Sequence, residues 1–102
     1  MQHITREMVA AIINESERDA FDTHYLEQRL LRIHTRAFAQ ELLEFCGNND
    51  PLNSFSAALS HWVLRQFEGD IQRAEKVVST NLAGDPVRNQ QWHRINPERP
   101  VA

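Results

Sequence analysis

The stretch from Asp70 to Ile95, DIQRAEKVVSTNLAGDPVRNQQWHRI, decides between two folds. Ile71, Ala74 and Val78 would suit a fifth helix capped by Asp70, which would give an all-α five-helix bundle. Against that reading stand the β-branched run Val77-Val78-Ser79-Thr80 and the turn-dense Ala83-Gly84-Asp85-Pro86. Gln90 to Ile95, with Trp92 at its centre, then reads as a returning strand. The stretch therefore predicts a β-hairpin over about Arg73 to Ile95.

Upstream of the hairpin the pattern is helical. Thr5 caps a first helix whose Met8, Val9, Ile12 and Ile13 recur at three- and four-residue steps. Ser16-Glu17-Arg18-Asp19 is a polar loop, and Ala20-Phe21 a short strand or a staple before the next cap. Asp22 or Thr23 caps a second helix with Leu26, Leu30 and Ile33 on its apolar side and Tyr25, Arg29, Arg32 and Arg36 opposite, a solvated face. Thr35 caps a third helix running to Cys46, and Gly47 ends it in the left-handed conformation. Pro51 starts a fourth, where Leu52, Phe55, Leu59, Trp62, Val63 and Phe67 form the strongest apolar stripe, ending near Glu68-Gly69. The expected fold is α+β and mostly α, with four helices followed by a C-terminal β-hairpin. Residues 1–95 form one compact domain, and 96–102, with two prolines, a flexible tail.

Composition sets the outer limits. A chain of 102 residues holds one modest core and no separate catalytic domain. Its single cysteine, Cys46, cannot form a bridge within the chain, and its place in a last helical turn suits a buried, inert thiol. No secretory leader or membrane span is visible, which together with the lone thiol points to the cytoplasm. No two of the five histidines sit at i, i+4, so no metal site is expected. No Gly-rich nucleotide loop and no convergent acid–base pair appear, so no cofactor, small-molecule substrate or enzymatic activity is expected.

The net charge of −3 hides a gradient. Residues 1–50 sum to −4 and residues 51–102 to +1, so an anionic partner should meet the second half. Residues 51–67 contain no Asp or Glu, and none lies between Pro86 and Asn96. Asn53, Ser56, Ser60 and Arg65 on the helix, with Arg88 and Arg94 on the hairpin, are the candidate nucleic-acid-binding residues. Short hydroxyls, amides and guanidinium groups bond to phosphates and base edges without repelling a polyanion.

The order of helix, brief extended piece, helices and hairpin resembles a winged-helix DNA-binding domain. That resemblance implies a recognition helix over Asn53 to Phe67 and a wing tip around Leu82 to Arg88, although the helix over Thr35 to Cys46 is additional to the pattern. Phe21-Asp22-Thr23-His24, Ser79-Thr80-Asn81-Leu82-Ala83-Gly84 and Trp92-His93-Arg94 also resemble small bacterial proteins of unassigned function. Those proteins share an F-D-S/T-H start and an S-x-N…G…W-x-R ending, and the resemblance implies no activity. The sequence thus supports a small regulatory protein contacting duplex DNA as a homodimer. The alternative is a non-catalytic, homodimeric helical interaction module anchored by Trp62, Phe67 and Trp92.

Overall fold

In the computed structural model, residues 1–16 and 18–101 are described, and Glu17 of the expected polar loop and Ala102 of the expected tail lie outside them. The elements run α1 (Arg6–Glu15), β1 (Ala20–Asp22), α2 (Thr23–Ile33), α3 (Thr35–Leu43), α4 (Pro51–Gln66), β2 (Ile71–Thr80) and β3 (Pro86–Arg94). The α+β class holds, and the hairpin excludes the five-helix bundle.

Local chemistry explains the boundaries. Thr5 Oγ1 accepts the Met8 amide at 3.2 Å, Asp22 Oδ1 that of Tyr25 at 2.9 Å, and Asp50 Oδ1 that of Asn53 at 3.3 Å. Each satisfies an amide that its helix leaves open. Thr35 is not a cap: His34 takes that position, while the Thr35 hydroxyl donates back to Leu31 O at 2.6 Å. Helix α3 stops at Leu43, short of Cys46, and the chain continues in tight turns. Gly47 is not left-handed either; among the described residues positive φ falls at Gly84, at 89°. Gly84 sits in the hairpin loop, where only a residue without Cβ adopts that angle cheaply.

The strands form one antiparallel sheet in the order β1-β3-β2. β1 pairs with Gln91 to His93, so residues 86–90 of β3 are partnered by β2 alone. Between Arg73 and Lys76 the register slips by one residue, a bulge in the edge strand β2. Gln90 Nε2 donates to the freed Ala74 carbonyl at 2.7 Å.

The apolar faces meet in one core. Phe55, Leu59, Trp62 and Val63 of α4 pack with Val9, Ile12 and Ile13 of α1, Leu26 and Leu30 of α2, and Phe38 of α3. Phe38 meets Phe55 edge-on at 5.1 Å, and Phe21 of β1 lies 6.0 Å from Trp92 of β3. The three expected interface anchors belong to this core: Trp62 is 9% exposed, Phe67 0% and Trp92 1%. The stripe that suggested an interface is covered by the chain's own helices and sheet. Cys46, expected buried, is exposed because the helix that would have carried it inward ends before it.

Both chain ends described are tied down. Glu41, 2% exposed, uses Oε1 to accept the backbone amides of Gln2, His3 and Ile4 at 2.9, 2.9 and 3.0 Å. Near the C-terminus Val101 is 5% exposed and exchanges two hydrogen bonds with the Asn14 side-chain amide, while residues 96–100 are exposed. Among the described residues no helix is long and apolar enough to cross a membrane.

Candidate functional site

The six residues expected to bind nucleic acid do not share one surface. Asn53 is exposed in the first turn of α4. Ser56 is half-buried, with its hydroxyl proton given to the Glu27 carboxylate of α2. Ser60 is half-buried on the same flank. Arg65 is exposed near the other end of α4, beside a recess that Glu41 and Glu44 also line.

On the hairpin, Arg88 is exposed opposite Val78, whereas its neighbours Val87 and Asn89 turn toward α2 and α4. Strand alternation therefore puts Arg88 on the outer face, away from the start of α4. Arg94 is half-buried at the hairpin base, where Nη2 donates to Arg99 O at 2.6 Å and Nε is enclosed without a partner among the described residues.

What α4 does present to solvent is a row at four-residue steps: Asn53, Ala57, His61 and Arg65. Ala57 and His61 were not among the six expected residues. The signal was there, since stepping by four from Asn53 runs opposite the buried Phe55-Leu59-Trp62 stripe.

Beside the start of α4 the structure builds a second feature that the sequence did not announce. A cleft of about 200 Å³ lies between α4, the first turn of α2 and the hairpin loop. Its polar lining is His24, Asp50, Asn53, Ser56, Asn81 and Asp85. Behind it runs a relay: the Ser79 hydroxyl donates to Asp22 Oδ2 at 2.5 Å and lies 2.6 Å from His24 Nδ1. With its one proton committed to Asp22, Ser79 accepts from His24, so Nδ1 carries a proton. Asp22 and His24 come from one of the strings quoted above, Ser79 and Asn81 from another, and the fold joins them.

Glu27 completes the arrangement. Fully buried on α2, it accepts from Ser56 through Oε1, while Oε2 has no partner among the described residues. Burial raises its carboxyl to about 7, Ser56 opposes that shift, and the charge of nearby Asp22 adds to it. Among the described residues no three His, Cys, Asp or Glu side chains gather to hold a metal. Comparison with family models, curated proteins and solved structures finds no match for this chain.

Proposed function

We propose that this protein binds duplex DNA through the exposed row of α4. The observation that carries the proposal is the row itself, exposed from Asn53 through Ala57 and His61 to Arg65 without a carboxylate. At 1.5 Å per residue it runs about 18 Å. The major groove, roughly 12 Å wide, admits a helix of this kind. The Asn53 amide and His61 imidazole suit base edges, Arg65 suits guanine or phosphate, and Ala57 lets the helix axis come close. An antiparallel hairpin following this helix, in a sheet ordered β1-β3-β2, agrees with the winged-helix resemblance.

Arg88 then serves as a separate phosphate contact from the outer hairpin face, and Ser56, Ser60 and Arg94 drop out of the site. With the expected dimer anchors in the core, the proposal concerns a single chain. Two guanidinium contacts make the salt dependence shallow: affinity falls about tenfold between about 50 and 200 mM salt. Fluorescence anisotropy with mixed-sequence duplexes tests this. Arg65→Ala with Arg88→Ala should weaken binding and flatten the salt slope; unchanged binding in the double variant, or none in the wild type at low salt, rejects the proposal.

A further inference from the structure

The β2–β3 hairpin divides into two parts. Its base, Ile71 to Arg73 against Trp92 to Arg94, carries β1 as a third strand alongside Gln91 to His93. Its outer half, Lys76 to Thr80 against Pro86 to Gln90, has no third strand among the described residues. The slip between Arg73 and Lys76 falls at that boundary, so the ladder is interrupted where support from β1 ends. A two-stranded ribbon is marginal by itself, and a bulge bends the strand that carries it. The outer half is therefore an arm, and the bulge is its hinge.

Side-chain bonds to the start of α2 steady this arm. Ser79 Oγ donates to Asp22 Oδ2 at 2.5 Å and lies 2.6 Å from His24 Nδ1. Asn89 Nδ2 donates to the same Asp22 oxygen at 3.4 Å. Asp22 and His24 are each 6% exposed, so water competes little for these bonds. Ser79 stands opposite Val87 and Asn89 opposite Val77, which puts both hooks on the face of the arm that meets α2. Arg88, opposite Val78, lies between them on the other face. Leu82 in the loop also packs against the core, but apolar contact carries no direction and does not fix how the arm is turned.

We infer that Asp22, His24, Ser79 and Asn89 form a latch that sets the stance of the hairpin arm and so places Arg88 against the DNA backbone. The inference rests on the DNA reading and assigns these four as positioning residues that act through Arg88. A latched arm holds Arg88 at a fixed span from Arg65, so one duplex meets both guanidinium groups. An unlatched arm spreads Arg88 over many positions, and its local concentration at the phosphate falls. Asp22 also caps α2, so its replacement mixes two effects, whereas Ser79 and Asn89 lie outside that helix.

Fluorescence anisotropy with mixed-sequence duplexes at about 50 and 200 mM salt tests the latch in the wild type, Ser79→Ala, Arg88→Ala and the double variant. Wild-type affinity should fall about tenfold over that range, and each single variant's about threefold, as expected for one phosphate contact fewer. The double variant should match Arg88→Ala, because the latch has nothing left to place. Arg65→Ala should cost the same factor with or without Ser79→Ala, and Ser79→Thr, which keeps the hydroxyl, should keep the wild-type slope. Amide exchange in Ser79→Ala should speed at Val87 to Asn89 and stay slow at Gln91 to His93, which shows a loosened arm on an intact sheet. A wild-type salt slope in Ser79→Ala, further weakening when it is added to Arg88→Ala, or unchanged exchange at Val87 to Asn89 overturns this inference alone. No duplex binding by the wild type at low salt overturns the DNA reading and this inference with it.

Discussion

Ser56 on α4 donates its hydroxyl proton to Glu27 on α2, a pairing of two helices through a carboxyl with one oxygen satisfied and the other not. Burial of that carboxyl, which the Ser56 bond offsets only in part, makes the stability depend on pH. The folded carboxyl is raised from 4.5 to about 7, so the folded state holds a proton that the unfolded chain has released. The contribution is complete below about pH 4.5 and is lost as pH rises through 7, a change of roughly 3 kcal/mol. Glu27→Gln keeps an acceptor for Ser56 and removes the titration. Urea unfolding at about pH 5 and pH 8 should show a smaller loss in the variant than in the wild type; equal losses would count against this reading of Glu27.

Glu41 gathers the amides of Gln2, His3 and Ile4 on one oxygen. Glu41→Ala frees them and lets Ile4 leave the core, costing about 2–3 kcal/mol. Glu41→Gln retains an acceptor and should cost less. Hydrogen exchange at Ile4 reports the release directly; if that amide stays as protected in Glu41→Ala as in the wild type, the clamp is not what holds this segment.

Asn14 and Val101 exchange hydrogen bonds at 2.9 and 2.7 Å. Removing the amide with Asn14→Ala should cost about 1–2 kcal/mol. Thermal unfolding would shift down by several degrees, and the Val101 amide would exchange freely. A Tm unchanged from the wild type would mean that the docked end adds no stability.

Ala57 stands midway along the exposed row of α4. Ala57→Glu places a carboxylate there without touching the core, so folding should be nearly unaffected, within about 0.5 kcal/mol. Duplex binding should drop more steeply than in Ser60→Ala, because Ser60 is half-buried on a flank. Equal binding by both variants would remove α4 from the contact.

The helices and hairpin were legible because their signals are local. Pro51 starts α4, Val77 to Thr80 opposes a fifth helix, and Gly84 marks the turn. Periodicity also showed which side of α4 is apolar, but not what covers it, so Trp62, Phe67 and Trp92 could be read as interface anchors until the core was in view. The cleft was not legible at all. Ser56 meets Glu27 across 29 positions and Ser79 meets Asp22 across 57, and isolated polar pairs at such separations leave no periodic trace. Arg88 was misplaced for a simpler reason: strand alternation fixes which residues share a face, and only the fold says which face looks outward.

The slipped register between Arg73 and Lys76 reaches beyond the hairpin's own shape. β2 is a ten-residue border with no neighbour on its far side among the described residues, and a straight border of that length would recruit strands from other molecules. The extra residue twists that border and interrupts its ladder at Ala74 and Glu75, close to the charged Arg73 and Lys76. Removing one residue there would even out the pairing and leave a straighter border open to strands of other molecules.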